Sequence, residues 1–143
     1  MIEINNLTTV SIDESFLKKI AERVLRGEKI RKESELSIAL VGQGVIRKLN
    51  KRYRNKNRVT DVLSFSESRT GVTNIDSKSL GEIVICLKEV KKNARRYKTN
   101  FKNEISRVLI HGILHLLGYD HEGSEKKVKI MENKEKFYLS EKF

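Results

Sequence analysis

A chain of 143 residues with 30 Lys and Arg against 19 Asp and Glu has room for one real core and carries a formal net charge of +11. That excess points to a polyanionic partner, nucleic acid first, and no apolar run approaches the ~20 residues that a membrane-spanning helix requires. With no lipidation signal either, a protein without a membrane partner is expected.

In chain order, Met1 to Asn6 lacks the basic and apolar regions of a secretion signal, so a cytoplasmic location is expected. The branched residues between Ile2 and Val10 predict a first strand. Ser11 or Asp13 is placed to cap a helix whose apolar stripe, Phe16, Leu17, Ile20, Val24 and Leu25, runs up to Gly27. Leu36 to Val41 reads as a strand, and Gly42-Gln43-Gly44 as the turn into a short helix through Val45, Ile46 and Leu49. The polar Asn55-Lys56-Asn57 leads into Asp61-Val62-Leu63-Ser64-Phe65, which alternates as a strand does. Ser66 to Ser79 has no sustained period and predicts a loop, whereas Gly81 to Leu87 is apolar enough for a central strand. Within it lies the single cysteine, Cys86, which leaves no internal disulfide, agrees with a reducing compartment and reads as a buried strand residue. Lys88 to Tyr97 predicts a basic helix with Val90, Ala94 and Tyr97 on one side, broken at Lys98-Thr99-Asn100. From Phe101 to Leu117 the second half is apolar nearly all round, so that helix belongs in the middle of the fold. Gly118 is placed to end it, and Gly123 to Phe143 reads as a closing helix with a solvated charged face and Met131 in the core. Nothing marks a repeat, a linker or a boundary, and a single domain over 1–143 is expected.

All three histidines fall in one stretch, His111-Gly112-Ile113-Leu114-His115-Leu116-Leu117-Gly118-Tyr119-Asp120-His121. Four residues apart on a helix, His111 and His115 share one face about 6 Å apart along the axis, within reach of one metal ion. A glycine that ends the helix with positive φ lets the chain turn and brings His121 back to the same ion. Three imidazoles leave a fourth tetrahedral position open, the arrangement of a catalytic zinc rather than a structural one, although imidazole also serves nickel, copper and iron. The spacing also matches the metzincin peptidases, His-Glu-x-x-His-x-x-Gly-x-x-His. Gly112, however, stands where those enzymes carry their general-base glutamate. A glycine inside a helix costs about 1 kcal/mol against alanine, so Gly112 indicates close packing, room for a ligand above the metal, or a tolerated defect.

The pattern His-Gly-x-Leu-His-Leu-x-Gly-Tyr-Asp-His at 111–121 resembles the signature of the YbeY family, bacterial zinc-dependent endoribonucleases that mature ribosomal RNA. Leu49-Asn50-x-x-Tyr53-Arg54 followed by Thr60-Asp61-Val62-Leu63-Ser64-Phe65 is similar to that family's second block, and Gly81-Glu82-Ile83 to its third. Val59 and Ser66 depart from the pattern, at positions where the family often has proline on either side of the second block. The resemblance covers nearly the whole chain. It implies an α/β fold, a small mixed sheet of about four strands surrounded by helices. It also implies one zinc ion (Zn2+) on His111, His115 and His121, carried by a central helix and the following loop. The activity implied is single-strand-type endoribonuclease cleavage in small-subunit ribosomal RNA maturation and ribosome quality control, with the ribosomal subunit or a ribosomal protein as further partners. Arg54 matches the family's functionally important arginine, and its planar guanidinium suits two phosphate oxygens as charge builds in a transition state.

Between 48 and 58, Lys48, Lys51, Arg52, Arg54, Lys56 and Arg58 meet no acidic residue, and between 88 and 102 seven Lys and Arg meet only Glu89. Lys51, Arg52, Lys56, Arg58, Lys91 and Arg95 are therefore candidate RNA contacts, with an ordinary solvated face as the alternative. Asp120 is placed to orient a histidine or to shape a turn, Asp61 to support the site or the fold, and Tyr119 to stack on a base or to pack. Three classes of function fit these features: an RNA-cleaving zinc hydrolase, a zinc peptidase disfavoured by Gly112, and a non-catalytic zinc-containing ribosome assembly factor. Closure of the fourth metal position by Cys86 or a carboxylate would favour the last.

Overall fold

The computed structural model describes residues 1–67, 78–120 and 122–140. Strand β1 (Ile2–Asn6) is shorter than the branched residues up to Val10 predict, because Asn6 turns the chain. Its Oδ1 accepts from Thr8 N at 3.0 Å and from Thr8 Oγ1 at 2.7 Å, and its Nδ2 donates to Val10 O at 2.7 Å. Asp13 then caps α1 (Glu14–Gly27) by accepting from Phe16 N at 3.2 Å, and the predicted stripe buries Leu17, Ile20, Val24 and Leu25.

Strands β2 (Glu35–Val41) and β4 (Ser79–Cys86) run parallel at the centre of the sheet. β1 lies parallel beside β2, and β3 (Val62–Ser66) lies antiparallel beside β4, giving a mixed sheet of order β1-β2-β4-β3. Of the loop expected over Ser66 to Ser79, the ends belong to β3 and β4, and residues 68–77 lie outside the described residues.

The helix expected to follow a turn at Gly42-Gln43-Gly44 begins at once: α2 spans Gln43–Arg54, with Gly42 as its extended N-cap. It stops at Asn55, which takes the left-handed conformation (φ 57) that asparagine tolerates. Buried Asn50 secures the exit, its Nδ2 donating to Arg58 O at 2.9 Å and its carbonyl accepting from Lys56 N at 3.2 Å. β4 passes directly into α3 (Leu87–Arg96), and the break at Lys98 precedes α4 (Phe101–Leu116), which Asn100 caps. α5 (Glu125–Ser140) closes the fold, with Met131 buried as expected; residues 141–143 of the predicted closing segment lie outside the described residues.

Strand alternation splits the core in two. Leu36, Ile38, Ile83 and Ile85 face the larger part, closed by α1, α3, α4 and α5, while Ala39, Val41, Leu63, Val84 and Cys86 face Ile46 of α2. Cys86 is therefore a strand residue on the α2 side, and burial pushes its thiol pKa up. α4 sits in the middle, against α1, α3, α5, β3 and β4. It ends as Gly118 predicts: φ is 102, Gly118 N donates to His115 O and Tyr119 N to Leu114 O, both at 3.0 Å. No described helix is long and apolar enough to cross a membrane.

At the start of the two central strands the β2–β4 register shifts next to Leu80, and Gly81 has φ 128. A Cβ on Gly81 would lie 2.1 Å from Phe65 O on the paired strand. Gly81→Ala should thus cost more than about 3 kcal/mol, combining backbone strain of about 1–3 kcal/mol with a collision against backbone that cannot yield cheaply. The expected reading is a lower urea midpoint at unchanged slope. A loss under about 1 kcal/mol would mean that β3 moves aside freely.

Candidate active site

β3 is an edge strand, and the sheet at this edge carries a cleft of about 1150 Å³ lined from both faces. The end of α2 contributes Leu49, Tyr53 and Arg54; α4 contributes His111, His115 and Leu116; Val62, Ser64 and Phe65 of β3 lie between them. The capped end of α2 and the central placement of α4 thus bring Arg54 to the same cavity as two of the histidines.

The His111 and His115 ring centroids are 5.2 Å apart with their planes at 74°. With metal–nitrogen bonds of about 2.0–2.1 Å and a tetrahedral angle, two imidazoles on one ion have ring centres about 5 Å apart, so this pair fits two ligands of a single ion. Glu135 of α5 lies behind His111, its Oε1 3.3 Å from Nδ1; a proton on Nδ1 makes this a hydrogen bond and gives Nε2 the lone pair that a metal ion requires. His121 lies outside the described residues, and among those described no group of three or more His, Cys, Asp or Glu side chains is arranged to hold a metal ion.

Gly112 is explained by packing. A Cβ there would meet Ile83 Cγ2 at 3.1 Å, Val62 Cγ2 at 3.2 Å and Ser64 Oγ at 3.4 Å, so the helix face at 112 lies against the sheet and does not make room for a ligand. Ser64 Oγ donates to Gly112 O at 2.9 Å, tying β3 to α4 one residue from His111. One turn earlier, Arg107 pairs with buried Glu104 at 2.7 Å and with Asp61 at 3.7 Å; the hydrogen bonds to Glu104 push the guanidinium pKa up. Asp61 also accepts from Asn93 Nδ2 at 3.3 Å, which makes it a clamp between α3, α4 and the start of β3. Asp120 shapes a turn, accepting from Glu122 N at 2.9 Å.

Of the lysines and arginines singled out in the sequence, only Arg54 lines the cleft. Lys51, Arg52, Lys56 and Arg58 are exposed on the end of α2 and the segment after it, and Lys91 and Arg95 are exposed on α3.

A profile of the family described as Endoribonuclease YbeY matches residues 3–142. The chain belongs to the YbeY family. Its relatives include the endoribonuclease YbeY of Persephonella marina, 41% identical over 128 residues that cover 85% of this chain and 78% of that one. That of Pelotomaculum thermopropionicum is 37% identical over 135 residues, covering 91% and 88%. A solution structure from Thermotoga maritima aligns with a TM-score of 0.67 and 34% identity over 97% of this chain and 87% of that one. The three sequence blocks that resemble YbeY meet at the cleft: Tyr53, Arg54, Val62, Ser64 and Phe65 from the second block, Glu82 from the third, His111 and His115 from the signature. Glu135 and Arg107, which no YbeY block contains, escaped sequence reasoning because nothing distinguishes them from the other charges on their helices.

Glu28 escaped it as well. One carboxylate oxygen accepts from Tyr119 OH at 2.5 Å, the other from Lys134 Nζ at 3.0 Å and from Tyr138 OH, which joins the end of α1 to the turn after α4 and to α5. Tyr119 is thus a packing residue. Burial raises the Glu28 pKa, but the donors outweigh it and hold the group below its ordinary 4.5. A folded-state pKa that is depressed stabilises the fold above the unfolded value, and the contribution is lost as pH falls through the folded one. Stability should therefore decline below pH about 4.5, and Glu28→Gln should flatten that decline in urea unfolding series. An unaltered pH profile in the variant would remove Glu28 as its source.

Proposed function

We propose that this chain is a zinc-dependent endoribonuclease of the single-strand type that acts in small-subunit ribosomal RNA maturation and ribosome quality control in the cytoplasm. The observation that carries the reading is the meeting of Arg54 with the His111–His115 pair in one cleft, at a ring separation of 5.2 Å suited to one ion. Membership of the endoribonuclease YbeY family supports RNA as the substrate.

In this reading His111, His115 and His121 hold the ion. Zinc bound there supplies Lewis acidity, polarising a phosphodiester or lowering the pKa of a water toward about 7. The protein's own groups do the rest. Glu135 holds His111 in the ring orientation that presents Nε2. Arg54 donates two N–H groups to non-bridging phosphate oxygens, where negative charge grows as the reaction proceeds. Position 112 packs against Ile83 and Val62 and carries no carboxylate, which sets the site apart from that of a metzincin peptidase. Lys51, Arg52, Lys56, Arg58, Lys91 and Arg95 guide the RNA backbone outside the cleft, and a ribosomal subunit or ribosomal protein directs the enzyme to its site.

The test is cleavage of a structured ribosomal RNA fragment by metal-loaded, chelator-treated and zinc-restored protein. Activity should vanish on chelation and return with zinc. Arg54→Ala should keep its zinc and cleave about 10²–10³-fold more slowly, whereas His115→Ala should lose metal and activity together. Loss of zinc from Arg54→Ala would refute its phosphate role, and tight RNA binding without cleavage by the zinc-loaded protein would favour an assembly factor. Glu135→Ala should weaken zinc binding by about 10–100-fold in a chelator competition; unchanged affinity would make the His111 contact incidental.

A further inference from the structure

Tyr53, Tyr97 and Phe137 are the large aromatic side chains left more than half exposed among the described residues, and of these only Tyr53 lines the cleft. Although 58% exposed, Tyr53 is braced. Phe65 of β3 meets it edge to face, with ring centroids 5.2 Å apart and planes at 67°, and the Arg52 guanidinium carbon stands 5.4 Å from its centroid. The last turn of α2 therefore presents a flat apolar surface, supported from the sheet, immediately before Arg54 in sequence. An aromatic ring held in place and left in water offers area that a flat ligand can cover at small entropic cost.

A nucleobase is such a ligand. Stacking on an aromatic ring is tolerant of base identity, and a neighbouring guanidinium adds both a cation–π contact and attraction for phosphate. We infer that Tyr53, braced by Phe65, is the stacking platform for an unpaired nucleobase whose adjoining phosphate is held by Arg54. This rests on the RNA reading given above and adds to it a base subsite beside the phosphate site. A paired base stays within its own helical stack, so the platform accepts only nucleotides that are free to splay out.

Binding of a short 2′-O-methyl oligoribonucleotide, which resists cleavage, is to be compared with that of an abasic strand of equal length and charge. Tyr53→Ala should weaken binding of the base-bearing strand by about 5- to 100-fold and leave the abasic strand unchanged, while Tyr53→Phe should stay within about twofold of the parent on both. Because the chain has no tryptophan, Tyr53→Trp supplies a single indole, whose fluorescence should be quenched by the base-bearing strand and not by the abasic one. Equal weakening on both strands, or none on either, overturns the platform and leaves the RNA reading standing. Binding of neither strand by the parent protein overturns the RNA reading and the platform together.

Discussion

The contact of α4 with the β3–β4 edge at Gly112 sets the position of the groups around the cleft. Methyl groups of Ile83 and Val62 lie 3.1–3.2 Å from where a Cβ would stand, so a larger residue would crowd these side chains and press the helix away from the sheet. His111 and His115 flank this point by one and three residues, and lifting the helix would carry both rings away from Arg54. The helix accepts the poor propensity of an interior glycine, about 1 kcal/mol, in return for close approach. The bond from Ser64 Oγ to Gly112 O fixes the same contact from the strand side. Packing and chemistry are therefore coupled at one position: the residue that removes a peptidase's general base is the residue that seats the helix.

An edge strand ordinarily exposes unpaired backbone groups, a hazard that folds limit by keeping such strands short or covered. Here β3 has five residues, and α2 and α4 approach it from opposite faces. This arrangement makes a cleft without any insertion. Side chains on alternate positions of one short strand reach both walls, Ser64 toward α4 and Phe65 toward Tyr53 of α2. The left-handed cap at Asn55 and the side-chain bond of Asn50 to Arg58 O stop α2 where its last turn overlooks that strand.

Much of this was legible in the sequence. The His111/His115 spacing, the stop at Gly118 and the all-round apolar second half of α4 each have one local cause, and each appears in the structure as read. The early end of β1 followed from Asn6 side-chain bonds that compete with the strand ladder, a choice that propensity cannot display. The meaning of Gly112 stayed open because packing, ligand room and tolerance look alike in one dimension; only the distances to Ile83 and Val62 separate them. Glu135 and Glu28 were illegible for another reason. Their partners, His111 at a separation of 24 residues and Tyr119 at 91, are chosen by the tertiary fold, and glutamates among many lysines and glutamates leave no periodic trace.

The distribution of charge divides the work of an RNA-binding surface. The chain is strongly basic, yet among the described residues that line the cleft Arg54 is the sole lysine or arginine, set beside the carboxylates of Asp61, Glu67 and Glu82. Such a cleft attracts a polyanion weakly over distance. The exposed cations of the α2 end and of α3 act at longer range, within roughly a Debye length of 8–10 Å, and their pull is not specific to sequence. Under the proposed function, capture then belongs to the outer surface and choice to the cleft, where one guanidinium, one ion held by the imidazoles and one braced aromatic ring must all be satisfied by the same strand. A substrate that offers phosphates alone would be held at the rim, and only one with an accessible, unpaired nucleotide could bring its backbone to Arg54.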